Sequence, residues 1–282
     1  MRTSTGALAA AIVAAAGALT LFAQWPSYPT DGPRTPDGKV DLKAPAPRTP
    51  DGKPDFTGVW SAVRGPGRGA QGKAKGKEAP PPPPSPSDGP PVATFGNIGA
   101  GLKDGLPFQP WAFELLAKRK GDNSKDNPDA HCLPMGLMQF HTHPQPRKMI
   151  QTPKELVIVY EANHGLRQIY LDGRSLPGND PDPWWYGYSI GHWDGDTLVV
   201  ETTGYRDDVW LDVQGSPMTS AAKTIERFRR PNFGTLQIDV TIDDPKAYTK
   251  PFTVRVNQRL SPDSEMIEFI CQDRDAPHYV GK

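Results

Sequence analysis

The amino-acid sequence predicts an all-β fold in which an antiparallel meander closes into a barrel, with one short helix and a disordered N-terminal region. Apolar and polar residues alternate with period two in nine runs from residue 148 onward, and short turn signals separate the runs. Because no crossover helix lies between the runs, successive strands are expected to pair as antiparallel neighbours. Closure of about nine or ten such strands removes exposed edges, and a two-sheet sandwich is the alternative.

The predicted strands follow from this alternation. They cover residues 148–152, 155–161, 166–171, 187–193, 197–203, 223–230, 235–242, 252–260 and 265–271, after a first strand at 56–60. The pattern is clearest in residues 235–242, where Leu236, Ile238 and Val240 face one way. The helix is predicted at residues 107–121, where Pro110 suits the first turn and Gly121 the end. The helix is expected to cover one end or face of the sheet.

The N-terminal residues predict export. Residues 1–24 combine Arg2, an apolar run over 7–22 and small residues near Ala23, which is typical of a cleaved signal peptide. A retained N-terminal anchor is the alternative. The mature chain is therefore expected in the periplasm or outside the cell, without a membrane span, because no later segment is long and apolar enough to cross a bilayer.

The remaining chain divides into a linker and one domain. Residues 25–54 predict a flexible linker, which contains the hexapeptide Arg-Thr-Pro-Asp-Gly-Lys twice, beginning at Arg34 and at Arg48. Residues 55–282 form the barrel domain. A basic, glycine-rich and proline-rich insertion at about 65–92 is expected to be disordered.

The charge balance argues against several classes of partner, and the motifs argue against several cofactors. Lysine and arginine together number 32, as do aspartate and glutamate, so the formal net charge is zero. Binding to nucleic acid or to an anionic membrane favours a basic surplus, and neither is expected here. Neither a phosphate-binding loop, a dinucleotide glycine signature nor a serine elbow is present, so the sequence predicts no cofactor.

The two cysteines predict one disulfide between Cys132 and Cys271. In an oxidising compartment a sparse, even pair of cysteines is most simply bridged. Two free thiols or a metal-binding pair are the alternatives. A metal site would need further cysteine or histidine partners, and only His131 lies beside Cys132 in the sequence.

Several longer motifs resemble a large family of exported bacterial proteins of mostly unassigned function. They include TPDGKPDFTGVW, GHWDGDTLVVETTGY, IERFRR and TIDDPKAYTKPFTV, and the resemblance extends from Thr49 to the C-terminus. The resemblance implies secretion and a β-rich domain, and no reaction. Relatives commonly carry a His-Pro pair where this chain has DGRSLP, near Leu176, and a histidine where it has PMTS, at Met218. If those histidines are catalytic in relatives, the activity is lost or altered here.

A second, looser resemblance is to lipocalin-like barrels. Their first strand carries Gly-x-Trp, here Gly58-Val59-Trp60, and the tryptophan closes one end of the barrel. An arginine from a late strand commonly packs across that ring, and the resemblance implies Arg227 or Arg255 in this role. Such barrels can hold one small ligand in the interior.

The aromatic stretch at 184–193 supplies the candidate ligand-binding residues. Trp184, Trp185, Tyr188 and Trp193, together with Arg227, predict a pocket for a sugar-like or aromatic molecule. Plugging of the barrel end by the same rings is the alternative, because buried aromatic residues are mostly core residues.

Glu226, Glu161 and Arg167 are the candidate catalytic residues. Alternation places Glu226 on the same face of its strand as Phe228. Burial on that face would raise the pKa of the carboxyl group and suit it to proton transfer. Arg167 would steady developing negative charge. The alternative is a structural Glu–Arg ion pair between neighbouring strands.

The histidines give little support for a metal centre, and no metal is predicted. His141 and His143 form the one close pair, but the prolines that follow favour a loop. The sequence therefore predicts an exported barrel that binds a small molecule, with hydrolysis or elimination as its reaction if it is an enzyme. A non-catalytic ligand-binding module and a structural domain are the alternatives.

Overall fold

The computed structural model describes residues 28–63, 89–178 and 182–271. The predicted signal peptide and most of the predicted insertion lie outside these residues. The strands, numbered in chain order, are β1 Gly58–Ala62, β2 Arg147–Gln151, β3 Glu155–Tyr160, β4 Leu166–Tyr170, β5 Tyr188–Asp194, β6 Thr197–Thr203, β7 Val209–Trp210, β8 Pro217–Met218, β9 Lys223–Asn232, β10 Thr235–Asp243 and β11 Phe252–Leu260. The helices are α1 Pro110–Gly121 and α2 Leu137–Thr142.

Nine of these strands form a closed barrel, which confirms the predicted fold class. The order around the barrel is β1-β11-β10-β9-β6-β5-β4-β3-β2, and β2 pairs with β1 to close it. The short strands β7 and β8 pair with each other outside the barrel. The barrel has no free edge, as expected for a sheet that avoids exposed backbone groups by closure.

Two strand predictions are wrong. Strands β4 and β5 pair in parallel, with Ile169 opposite Ser189, because the long connection after β4 returns the chain to the end where β4 began. Residues 265–271 form no strand. By that point β11 is already paired on one side with β10 and on the other with β1 and residues 91–93, so no edge is left for another strand.

The interior of the barrel is filled, which contradicts the expectation of a hollow barrel. Strand alternation sends one face of each strand inward, and the inward side chains have essentially no exposure. Those with none include Trp60, Met149, Ile158, Ile169, Val200, Phe228, Ile238 and Val254. These side chains form a hydrophobic core that occupies the interior between the described strands.

Trp60 closes one end of the barrel, but neither arginine expected beside it is there. The indole Nε1 of Trp60 donates to the Phe56 carbonyl at 2.9 Å, and the Arg230 guanidinium lies 4.8 Å from the ring centroid. Arg227 points outward and pairs with Asp194, and Arg255 pairs with Asp239. On β9 the inward positions are even-numbered, so Arg230 is placed at the ring and Arg227 is not.

Helix α2 is a feature that the sequence did not predict. All six of its residues are buried, and Phe140 stacks on the Tyr160 ring at 4.4 Å. A helix this short, buried all round, has no exposed face and therefore no amphipathic periodicity. Helix α1, in contrast, confirms the helix predicted at 107–121 within three residues at its start.

Residues 28–54 pack on the barrel, in contrast to the flexible linker predicted for 25–54. Each Arg-Thr-Pro-Asp-Gly-Lys copy closes a turn, with bridges between Arg34 and Val40 and between Arg48 and Pro54. Arg48 then pairs with Asp196 at 2.5 Å, and Arg34 with Asp263 at 3.0 Å. The copies lack an apolar core of their own, and the barrel supplies their partners.

The predicted disulfide is confirmed. Cys132 and Cys271 are bridged with an S–S distance of 2.04 Å across 139 positions of sequence. The bond joins the segment before α2 to the chain that follows β11. No helix among the described residues has both the length and the apolar character needed to cross a membrane.

Candidate functional site

A polar cluster lies inside the barrel near the end that α2 covers. Glu226 on β9 and Arg167 on β4 have essentially no exposed side chain, and they form a two-pronged ion pair. Arg167 Nη1 donates to Glu226 Oε1 at 3.0 Å, and Arg167 Nη2 donates to Glu226 Oε2. In such a bidentate guanidinium–carboxylate pair, each charge is neutralised by its partner. A buried ion pair requires this, because water cannot solvate either charge.

Hydroxyl groups complete the partners of Arg167. Its Nη2 donates to Ser189 Oγ at 3.0 Å and to Thr202 Oγ1 at 3.1 Å. Ser189 and Thr202 are also 2.9 Å apart, and both are buried. The guanidinium is therefore held from β5, β6 and β9 together, so this cluster fixes the relative positions of the strands.

His141 approaches the same carboxylate from α2. Its Nε2 lies 2.6 Å from Glu226 Oε1 and donates to it, since an ionised carboxylate only accepts. Burial lowers the pKa of His141 despite the neighbouring carboxylate, so the ring is neutral near pH 7. This hydrogen bond attaches α2 to the barrel interior.

The pKa of Glu226 is lowered, whereas the sequence predicted a raised value. Burial alone would raise it, but the charge of Arg167 and the hydrogen bonds from His141 and Arg167 outweigh burial and bring the pKa to about 2. Glu226 therefore stays ionised near neutral pH and is not suited to act as a general acid. The structural Glu–Arg pair, which the sequence left open as the alternative, is the arrangement observed.

Arg147 holds the chain at the end of α2, where His143 follows the helix. Its guanidinium donates to the carbonyls of His141, His143 and Gln145 at 2.6 to 2.9 Å. His143 turns away from His141 and packs edge-on against Phe95 at 4.7 Å. Among the described residues no group of three or more His, Cys, Asp or Glu side chains could hold a metal ion.

Glu161 does not join Glu226. Its Oε2 accepts from the backbone N–H of Ile267 at 3.1 Å, so it anchors the segment that leads to Cys271. No contact links its carboxylate to the cluster around Glu226 in the described part of the chain. Of the three predicted catalytic residues, only Glu226 and Arg167 therefore come together, and they do so as a sealed ion pair.

The four predicted aromatic residues do not line one pocket. Tyr188 and Trp193 lie on opposite faces of β5: Trp193 stacks on Phe56 at 5.7 Å, and Tyr188 packs against Tyr170 at 5.3 Å on the outside. Trp184 meets the Tyr188 ring edge-on at 5.8 Å and is 48% exposed. Trp185 lies beneath Arg206, whose guanidinium is 4.5 Å from the ring. Trp193 thus plugs one end, and Trp184 with Tyr188 forms an exposed aromatic pair.

A cavity of about 1060 Å³ opens at the barrel rim, at the end opposite Trp60. We call it the rim cavity. It is lined by the end of β6, the start of β9, the end of β10 and the adjoining loops, namely Leu176, Pro177, Gly178, Pro183, Glu201, Thr202, Thr203, Gly204, Tyr205, Arg206, Asp207, Asp208, Ser220, Lys223, Thr224, Ile225, Thr241, Asp243 and Pro251. Its volume is at the upper end of the range typical of small-molecule sites.

The rim cavity is acidic and rich in hydroxyl groups. Four carboxylates and two basic side chains line it. Two of the carboxylates are engaged: Asp208 pairs with Arg206 at 3.0 Å, and Asp207 accepts from the Ser220 N–H at 2.7 Å. The side chains of Glu201, Lys223 and Asp243 make no hydrogen bond or ion pair within the described ranges 28–63, 89–178 and 182–271. These three side chains are thus available to a ligand.

Two threonines that line the rim cavity have hydrogen-bond partners in the barrel. Thr202 and Thr224 line the cavity, yet Thr202 binds Arg167 and Thr224 binds the Tyr205 hydroxyl at 2.7 Å. The sequence did not predict this site, because outward polar residues on a strand are expected as ordinary solvent-facing positions. The sequence does contain one signal that could have indicated this site: polar residues recur at outward positions on three neighbouring strands at one end of the barrel.

Comparisons with known proteins add no relative: no protein-family model matches the chain, and no match is found among curated proteins or solved structures.

Proposed function

We propose that this protein is an exported binding module that holds a saccharide, neutral or amino-substituted, in the rim cavity without reacting with it. The observation that carries the proposal is the cavity itself: about 1060 Å³, open at the rim, with unengaged carboxylates on its wall. The confirmed disulfide is compatible with export, because disulfides persist in oxidising compartments.

The polar lining suits a molecule with many hydroxyl groups. A carboxylate oxygen accepts hydrogen bonds readily, so Glu201 and Asp243 can each accept from adjacent sugar hydroxyls or from an ammonium group. Thr203 also lines the cavity, and its hydroxyl can both donate and accept. Because the carboxylates outnumber the basic side chains, the cavity disfavours an anionic sugar.

The exposed aromatic pair adds a stacking surface beside the cavity. Trp184 follows Pro183, which lines the cavity, and its backbone N–H donates to the Gly204 carbonyl at 2.8 Å. The backbone of Trp184 therefore adjoins the rim cavity, while its ring lies outside the lining and packs against Tyr188. Sugar rings have apolar faces that pack on such aromatic surfaces, and we propose that this pair contacts the part of the ligand that extends out of the cavity.

Hydrolysis or elimination with Glu226 as acid or base lacks geometric support. The carboxylate has no exposure and is fully occupied by Arg167 and His141, so no substrate reaches it in this conformation. A binding module needs no titrating group, and the rim cavity provides the recognition alone.

Isothermal titration calorimetry with glucosamine, glucose and glucuronic acid tests the proposal. We expect binding in the order glucosamine, then glucose, then glucuronic acid. The double variant Glu201→Gln with Asp243→Asn is expected to weaken glucosamine binding at least tenfold.

The matched control is Glu155→Gln, which removes an outward strand carboxylate that does not line the rim cavity. It is expected to leave the affinity unchanged. Absence of heat with all three sugars, or equal weakening by the control, would refute the proposal. Release of a cleaved product from a glucosamine disaccharide would favour the enzymatic alternative instead.

A further inference from the structure

A second cavity, of about 330 Å³, lies next to the rim cavity. We call it the helix cavity because the last turns of α1 form one wall. It is lined by Leu115, Lys118, Arg119, Asp122, Asp126, Pro128, His131, Leu133, Trp185, Asp208 and Trp210. Its volume is at the lower end of the range for small-molecule sites, which suits one unit of a larger ligand.

The two cavities share a wall made of two segments that are hydrogen-bonded to each other. Asp208 lines both cavities. Pro183 lines the rim cavity and Trp185 the helix cavity, so the chain passes from one to the other within three residues. The Arg206 N–H donates to the Trp184 carbonyl at 3.1 Å, which holds this crossing in place.

The top of the shared wall is polar and exposed. Arg206 pairs with Asp208 at 3.0 Å, and both side chains keep a substantial exposed fraction. The same guanidinium lies 4.5 Å from the centroid of the Trp185 ring, which is half-buried. An exposed guanidinium–carboxylate pair offers donors and an acceptor to a chain that crosses from one cavity to the other.

We infer that the rim cavity and the helix cavity are two subsites of one groove, and that the ligand is an oligosaccharide crossing over the Arg206–Asp208 pair. The inference rests on the proposed function. It adds that the ligand is longer than one sugar unit, because a single unit in the rim cavity leaves the helix cavity unused.

The helix cavity has the chemistry of a sugar subsite. Leu115 and Leu133 give it an apolar side, while Lys118, Asp122 and Asp126 are exposed and charged. A sugar unit presents one apolar face and a rim of hydroxyl groups, and this arrangement matches both. Opposite charges are mixed here, so the subsite accepts a neutral or an amino sugar.

Calorimetry with glucosamine oligomers from one to six units tests the inference. The affinity of the unmodified protein is expected to rise at least tenfold between the monomer and the hexamer. Leu133→Trp, which fills the helix cavity from an exposed position, is expected to abolish this rise.

Leu166→Trp is the control, because Leu166 is 54% exposed, comparable with 47% for Leu133, and lines neither cavity. It is expected to leave the dependence on chain length intact. Equal affinity for monomer and hexamer, or a rise that persists in Leu133→Trp, would overturn the groove while leaving monosaccharide binding standing. Absence of binding by every oligomer would overturn the proposed function and the groove together.

Discussion

Glu226 and Glu201 lie on neighbouring strands at adjoining register positions, yet they have opposite environments. Glu201 on β6 is opposite Ile225, and Glu226 on β9 is opposite Val200, so one carboxylate points outward and the other inward. Glu226 is sealed and paired with Arg167, while Glu201 lines an open cavity. The inward or outward direction of a strand residue therefore decides which carboxylate stabilises the fold and which is free to bind a ligand.

Neutralising Glu226 is expected to have the largest effect on stability. Glu226→Gln leaves the Arg167 charge buried without its counter-charge, which should lower the free energy of unfolding by about 3–5 kcal/mol. Glu201→Gln should change it by at most about 0.5 kcal/mol, as for most surface substitutions. Urea unfolding followed by circular dichroism measures both, and equal losses would contradict the division between the two carboxylates.

Acid should destabilise the protein through Glu226. Its pKa is lowered from 4.5 to about 2 on folding, so the unfolded chain binds a proton more readily than the folded one. The stabilisation is therefore complete above about pH 4.5 and is lost as the pH falls towards 2. Melting temperatures measured over this range should fall less steeply in Glu226→Gln, whereas Glu201→Gln should follow the unmodified protein.

Removing the exposed tryptophan should affect binding and not folding. Trp184→Ala is expected to weaken glucosamine-hexamer binding about tenfold, which corresponds to roughly 1.4 kcal/mol. The control is Tyr28→Ala, because Tyr28 is also exposed and lines neither cavity. Titration calorimetry measures both variants, and unchanged binding in Trp184→Ala would remove the aromatic pair from the site.

The smallest effect is expected at the exposed ion pair between Arg48 and Asp196. Both side chains are more than half exposed, so water screens the pair and either partner alone remains solvated. Arg48→Ala should therefore leave the urea midpoint within experimental error, in contrast to the buried pair of Arg167 and Glu226. A loss as large as that of Glu226→Gln would mean that the N-terminal repeats carry part of the fold.

The sequence predicts the elements whose signals are local. Period-two alternation located the barrel strands, Pro110 and Gly121 bounded α1, and the cysteine count identified the disulfide. Tyr188 and Trp193 occupy positions of opposite parity on β5, so the same alternation argues against the single pocket to which both were assigned. Local patterns therefore establish which residues share a face.

Features that depend on distant partners could not be predicted. The pKa of Glu226 is set by Arg167 on β4 and His141 on α2, so burial alone gave the wrong direction. The two N-terminal repeats pack through distant partners in the rest of the domain: Val40 and Ala44 join the hydrophobic core, and Asp196 and Asp263 pair with Arg48 and Arg34. The rim cavity forms where strand ends that are far apart in sequence come together, and no single segment contains its pattern.

The most direct test of the account is the affinity for a glucosamine hexamer in two neutralising variants, measured under conditions where circular dichroism shows both to be folded. Binding by Glu226→Gln is expected to match the unmodified protein within twofold, and the double variant Glu201→Gln with Asp243→Asn is expected to bind at least tenfold more weakly. The opposite pattern, with binding lost in Glu226→Gln and kept in the double variant, would place the functional site inside the barrel and contradict the account.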